Sequence, residues 1–207
     1  MSKFPDEVIK KEPMFFRATY DYALEKGGPI TKDFLSKLPE DFIKNVNKNN
    51  FLFDSRCHMA MPGMFLAIPG WHHDNVPRTL SNGQPNYKDP ENHTDFIMAL
   101  VNGHIAPTQF VLGDFTLPLV KENLYKVWNK KTEQNIKDRS ELKIMTLDNE
   151  QDELVYFDHN SLHQATPATK RGWRWFGRVS VNNFFTQPRN EIRNQIQVYM
   201  KDPYSGW

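Results

Sequence analysis

The sequence predicts a mainly β chain with flanking α, a β-sandwich or double-sheet jelly roll buttressed by N-terminal helices. Three observations carry this expectation. The first 50 residues space their apolar side chains at helical intervals. From Phe51 onward, about eight short runs of apolar, aromatic and β-branched residues recur between Pro, Gly, Asn and Asp breaks. Finally, residues 173–181 separate into two faces, with Arg174, Phe176, Arg178 and Ser180 on one and Trp173, Trp175, Val179 and Val181 on the other. At 207 residues with 39% hydrophobic content, the chain is long enough for one core and short for two. Residues 1–207 are therefore read as one domain, with 1–50 as helical support and 51–200 as a β core that carries an inserted segment at 118–140.

In order, residues 14–26 have helix-compatible apolar spacing and are stopped by Gly27 and Gly28. Thr31 is placed to cap a second short helix with Asp33 in its first turn, and a third follows Pro39 over 40–46. Runs at 51–53, 57–61 and 64–68 read as short strands broken by Asp54, Pro62, Gly63, Pro69 and Gly70. Residues 75–92 are polar and rich in Pro, Asn and Gly, a loop longer than compact domains usually need. Strands are expected at 96–101, 108–112, 143–147, 153–157 and 173–181, with a helix within 118–140. Near the C-terminus, apolar Ile192, Ile196, Val198 and Met200 alternate with polar neighbours, which reads as another strand.

Composition narrows the function classes. The 26 basic residues against 25 acidic ones give a formal charge of +1, so nucleic acid is not implied by charge, although a local basic groove is compatible with it. No apolar run is long enough to cross a bilayer, and the first residues contain no apolar signal core. A soluble, cytoplasmic protein is expected. Cys57 is alone, so no internal disulfide can form and a reducing compartment is the simpler setting.

The chemistry centres on residues 69–75, where Pro69, Gly70 and Trp71 lead into His72, His73, Asp74 and Asn75. In an extended segment, positions i and i+2 share a face, so Asp74 can join His72 on one metal while His73 points away. A His-x-Asp triplet is weak by itself: seven His in this composition produce about half of one by chance. Indeed the chain has a second, His93 with Asp95. Context separates the pairs, because His72 and Asp74 follow an apolar run and a Pro-Gly turn and open into the long loop. His93 and Asp95 sit at the start of a strand, where a solvated cap is the simpler account. For a third ligand, His163 lies beyond the 153–157 strand and ahead of the two-faced strand, with His159 as competitor. His58 and His104 read as core or surface histidines. Two imidazoles and one carboxylate with positions left open are the ligand set of non-haem Fe(II) oxygenases.

These residues resemble the Fe(II)/2-oxoglutarate-dependent oxygenases. The family's pattern is His-x-Asp, a distal His, and an Arg some ten to fifteen residues beyond it. It is matched by His72, Asp74 and His163, followed by Arg174 and Arg178. The run from Glu153 to Pro167 looks like the phytanoyl-CoA hydroxylase branch, and the paired arginines are similar to the taurine dioxygenase branch. The resemblance spans about residues 56–182. It implies a double-stranded β-helix (jelly roll, cupin-like) core, with Fe(II) held by His72, Asp74 and His163. It also implies 2-oxoglutarate held by Arg174, with Arg178 and Ser180 second and Thr108 and Gln109 assisting. The expected reaction takes O2 and an unidentified substrate, a small molecule being favoured, and hydroxylates it with release of succinate and CO2. Halogenation is disfavoured because Asp74 keeps the carboxylate. Trp71, Asn75, Arg78, Arg178 and the loop to Asn92 are the candidate substrate contacts. Two other readings stay open: a cupin-like metalloenzyme that does not use 2-oxoglutarate, and a catalytically silent binding module on the same scaffold.

Overall fold

The architecture follows from one strand having to serve two environments. In a computed structural model of the chain, which describes residues 3–44, 50–80, 85–89, 91–114, 117, 124–148, 154–182, 186–194 and 198–200, the fold is mainly β with flanking helices. The elements run α1 (Asp6–Lys11), β1 (Met14–Phe16), α2 (Tyr20–Lys26), α3 (Pro29–Ser36), α4 (Glu40–Lys44), β2 (Leu52–Ala60), β3 (Asp95–Val101), β4 (Thr108–Leu112), α5 (Leu124–Asp138), β5 (Lys143–Leu147), β6 (Val155–Asp158), β7 (His163–Ala165), β8 (Gly172–Val181) and β9 (Glu191–Arg193). Their antiparallel ladders form a four-stranded sheet of order β2-β8-β3-β6, a three-stranded sheet of order β5-β4-β7 and a two-stranded ribbon of β1 and β9.

Strand β8 is the long inner strand, paired along its length with β2 and β3. One of its faces buries Trp175, Val179 and Val181 in a cluster with Ile9 of α1, Ile30, Phe34 and Leu35 of α3, and Phe53 of β2. Full burial of each large side chain here contributes about 1.5–3 kcal/mol, so this layer of helix on sheet holds the N-terminal half in place. Phe34 anchors it, with its ring centroid 5.7 Å from both Phe53 and Trp175. The other face of the sheet packs toward β4 and β5 through Met98, Leu100, Phe110, Leu147 and Val155. A separate cluster of Trp71, Val111, Trp128, Leu142 and Leu162 seats α5 against the smaller sheet.

Three expectations are corrected at the N-terminus and in the first strand. Residues 14–26 are not one helix. Arg17 has a left-handed backbone (φ 50), Ala18 bridges to Phe53, and Thr19 caps α2 by accepting from the Tyr22 N–H. The segment before it is strand β1, because its backbone finds partners in β9. The next helix starts at Pro29 rather than after Thr31. The buried Glu12 carboxylate accepts from the Ile30 and Thr31 N–H groups, at 3.2 and 2.8 Å, and so supplies the cap that Thr31 was expected to give. Asp54 does not break the first strand: β2 is continuous over nine residues, and the 64–68 run is irregular, with isolated bridges from Phe65 to Pro167 and Tyr199.

The later elements match more closely, with β3, β4, β5, β6 and β8 where strands were expected and α5 inside the 118–140 segment. The expected C-terminal strand is reduced to β9 at 191–193 and a bridge between Phe65 and Tyr199. Residues 195–197, like residues 45–46 of the third expected helix, lie outside the described residues. Among the described residues, no helix is long and apolar enough to cross a membrane.

Gly177 shows how tightly the outer face of β8 is filled. A Cβ at this position would lie 2.0 Å from the ring of Trp175, two residues back on the same face. Gly177→Ala must therefore displace a fully buried indole, and overpacking of this kind costs about 1–3 kcal/mol. Urea denaturation should show a lower midpoint for Gly177→Ala with an unchanged slope.

Candidate metal site

The site is assembled by backbone pairing between segments distant in sequence. Gly70, with a left-handed backbone (φ 84), sits between the bridges of Pro69 to Ala165 and His72 to His163, so the segment runs beside β7. His72 and His163 exchange both backbone hydrogen bonds, at 3.0 and 3.1 Å. The chain is extended here, so alternation holds. Asp74 shares the side of His72, whereas His73 turns away to pack against Tyr87 and Trp128, with ring centroids at 5.2 and 5.4 Å. The coordinating atoms of His72, Asp74 and His163 lie within 4.8 Å of one another.

Two main-chain carbonyls orient the imidazoles. Nδ1 of His72 is 2.7 Å from the Gly70 carbonyl oxygen, and Nδ1 of His163 is 3.1 Å from that of Ser161. A carbonyl can only accept, so these bonds place the protons on Nδ1 and leave the Nε2 lone pairs free. Such outer hydrogen bonds fix the tautomer of ligating histidines. Nε2 of His163 lies 3.2 Å from Oδ2 of Asp74, which puts a lone pair opposite a carboxylate oxygen; a cation bound between them would relieve the opposition. This donor set fits a divalent transition metal.

Electrostatics favour the ligating protonation states. Burial, reinforced by the nearby His163, lowers the His72 pKa to about 4, so this imidazole is neutral at physiological pH. Burial alone would raise the pKa of Asp74. The positive charge of Arg178 is the largest opposing effect, and it holds the carboxyl well below the ordinary range. Arg178 donates from Nη1 to Oδ2 of Asp74, sits 4.0 Å from Asp54, and stacks over Phe96 at 5.1 Å.

All three candidate ligands line a cavity of about 840 Å³, together with Thr108, Arg174, Arg178 and Ser180 from the expected cosubstrate set. Arg174 is 4% exposed and donates to the Thr108 hydroxyl at 3.3 Å. Its Nε has no hydrogen-bond partner, and among the described residues no carboxylate is paired with it. Burial lowers its pKa to about 10, which still leaves the guanidinium charged. An isolated buried cation costs several kcal/mol unless a ligand compensates it.

The remaining expectations fare differently. Asn75 lines the cavity, but Trp71 and Arg78 do not. Trp71 is buried in the cluster under α5, with its backbone N–H donating to Oδ1 of Asn129, and Arg78 is exposed on the loop. Gln109 faces the other side of β4, where it accepts from Gln164 at 2.9 Å. His93 and Asp95 pair with each other at 2.9 Å on the surface and gather no third ligand among the described residues. His159 is buried, with Nδ1 accepting from the Thr94 N–H at 3.1 Å, so its structural role needs the neutral ring. His104 is exposed. The sequence reading missed Asp54, Arg56 and His58, which line the cavity from β2 opposite Arg178, Phe176 and Arg174. Their period-two spacing was a legible signal, hidden by splitting the strand at Asp54.

Titrating the metal-free protein with Co(II) should give a visible ligand-field spectrum. His72→Ala, Asp74→Ala or His163→Ala should weaken binding by more than the roughly 10–100-fold typical of losing an outer-shell partner, and His93→Ala should leave it unchanged. Acid stability supplies a second check. Burial, then the neighbouring His93, lowers the folded-state pKa of His159 below its ordinary value of 6.5. The unfolded state therefore binds the extra proton first, and stability is full above about pH 6.5 and falls as the pH drops below it. His72 and His73, lowered by burial to about 4 and about 3, add a loss of the same sign. His159→Asn keeps an acceptor for Thr94 but cannot titrate, so its urea midpoint should decline less steeply from pH 7 to 5 than that of the parent. Comparisons with family models, curated proteins and solved structures give no match, so the functional reading rests on this geometry and chemistry.

Proposed function

We propose that the chain is an Fe(II)- and 2-oxoglutarate-dependent oxygenase built on a double-stranded β-helix. The fold reading is supported by the strand orders β2-β8-β3-β6 and β5-β4-β7, with the 69–72 segment bridging to β7 as an irregular eighth strand. Every connection from β2 to β8 except that from β4 to β5 then steps from one of the two sheets to the other, and the candidate ligands line the cavity. The observation that carries the functional reading is Arg174: a buried guanidinium without a carboxylate partner, in the same cavity as a two-histidine, one-carboxylate cluster.

Fe(II) with 2-oxoglutarate, when bound, would supply the O2 chemistry, in which the oxo acid becomes succinate and CO2 and one oxygen atom reaches the substrate. The chain's own residues would do the rest. Nε2 of His72, Nε2 of His163 and the Asp74 carboxylate would hold the metal, oriented by the Gly70 and Ser161 carbonyls. Arg178 keeps Asp74 ionised and directs its carboxylate. Arg174, steadied by Thr108, would take the distal carboxylate of the cosubstrate with its planar fork, and Ser180 lines the same cavity further along β8. Met98, Phe157 and Phe176 line the same cavity and limit the water that reaches it. The same proposal places the protein in a reducing cytoplasm. That setting suits ferrous iron and the lone Cys57, whose buried thiol has its pKa pushed up to about 12.

Anaerobic addition of Fe(II) and 2-oxoglutarate should produce a weak visible metal-to-ligand band, and aerobic turnover should release succinate. Arg174→Gln should weaken 2-oxoglutarate binding at least ~30-fold, the weight of about 2 kcal/mol for losing one partner of a buried charge pair, while Co(II) affinity is retained. Absence of the band together with absence of calorimetric 2-oxoglutarate binding would sink the reading. Metal binding alone would then point to a metalloenzyme of another kind.

A further inference from the structure

Five arginines line the cavity, Arg17, Arg56, Arg174, Arg178 and Arg193, against two aspartates, Asp54 and Asp74. The wall therefore carries a surplus of three positive charges in a chain whose formal net charge is only +1. Under the proposed function this surplus survives loading, because the two charges of Fe(II) offset the two carboxylates of 2-oxoglutarate. The substrate is what remains to balance it.

Arg174 and Arg178 already have roles, so the surplus is concentrated in the other three. They come from separate segments and converge on one ring. Arg17 follows β1, Arg56 is on β2 and Arg193 ends β9, with guanidinium carbons 4.9, 5.8 and 3.3 Å from the Phe16 centroid. Burial lowers the Arg56 pKa; Asp54 opposes this, while Arg193 and Arg178 add to it, so the cations feel one another. Neutralisation from within the chain is incomplete. Glu191 lies 2.5 Å from Arg189 and 3.5 Å from Arg193, and among the described residues no carboxylate pairs with the Arg17 guanidinium.

The backbone also commits Arg17 to this place. Its left-handed conformation is unusual for a long side chain, and three hydrogen bonds enforce it. The Arg17 N–H donates to Asp54 at 3.2 Å, and its carbonyl accepts from the N–H groups of Arg189 and Asn190 at 2.9 and 3.2 Å. An unfavourable conformation held by several partners, aiming a cation into a cavity, is the pattern expected of a binding residue.

We propose that the substrate is a small molecule bearing a phosphate-type dianion, gripped by Arg17, Arg56 and Arg193 around Phe16, with its reacting part extending toward His72, Asp74 and His163. Three guanidinium groups exceed what a single carboxylate needs, since one fork satisfies it, and they suit the several acceptor oxygens of a phosphate. A cavity of about 840 Å³ is of small-molecule size. The identity of the reaction rests on the oxygenase reading, whereas the anion subsite does not.

The test titrates the metal-free protein with pyrophosphate by calorimetry, in the parent, Arg17→Asn, Arg193→Gln and Arg174→Gln. Asparagine tolerates the left-handed backbone at position 17, and circular dichroism with thermal melts establishes that each variant is folded. If one of the first two variants misfolds, the other decides. Their Kd should rise at least ~tenfold, as expected for losing a charge-assisted contact, and by more than it does in Arg174→Gln. No binding to the parent overturns the proposal, as does a Kd that moves only in Arg174→Gln. Failure of the oxygenase reading is seen separately, in the Fe(II) and 2-oxoglutarate band. In a second arm, phosphate monoesters should stimulate succinate release by the Fe(II)-loaded parent protein; equal stimulation by their dephosphorylated counterparts overturns the proposal.

Discussion

The two-sidedness of β8 is the constraint on which the rest depends. Hydrogen-bonded on both edges, by β2 and β3, this strand has little freedom to shift. Trp175, Val179 and Val181 are buried under the N-terminal helices, and the alternate positions bring Arg174, Arg178 and Ser180 to the cavity. Because the side-chain period is two, a one-residue slip would drive both arginines into the apolar layer and expose the indole. The hydrophobic packing of one face thus sets the electrostatics of the other. Helices α1 and α3, remote from any chemistry, position the site through that register.

A second level of order joins the candidate ligands. His72 and His163 are paired through their own backbones, so the separation of the imidazoles is a property of the β ladder rather than of flexible side chains. Main-chain carbonyls set the ring orientations, and Arg178 sets the carboxylate. The cationic wall around this cluster has two tiers. Arg174 and Arg178 rise from β8 close to the candidate ligands, and Arg17, Arg56 and Arg193 gather about Phe16 where the β1–β9 ribbon meets β2. A chain of nearly balanced charge can be strongly polarised in this way, because its acidic residues are placed elsewhere. Net charge therefore said little about the ligand.

How much was legible followed the range of the interactions involved. Strands β3, β4, β5 and β8 stood out because each combines a continuous apolar or alternating pattern with clear breakers at its ends. The 14–26 segment misled because its apolar spacing suits a helix, while the bends at Arg17 and Ala18 are imposed by Asp54, Phe53, Arg189 and Asn190. The start of α3 misled for a similar reason: its cap is the carboxylate of Glu12, from an earlier element, and no local rule points to it. Strand β2 was divided at Asp54 because a charged residue inside a strand looks like an interruption. Here it is the first of three polar side chains on the cavity face.

The sequence by itself determined what depends on one segment at a time. The alternation of His72, His73 and Asp74 is a property of extended backbone, as is the division of β8 into an apolar and a cationic face. The tertiary structure alone decided which of these faces meet. It set His163 beside His72 and left His159 bound to Thr94. It also gave Arg178 to Asp74, kept Arg174 buried without a carboxylate partner among the described residues, and brought Arg17, Arg56 and Arg193 around one phenyl ring. The physical reason is that side-chain direction is encoded by local backbone geometry with a period of two residues. Partnership is set instead by ladder register and chain crossing, which bring together residues whose separation in the sequence carries no information about their distance in space.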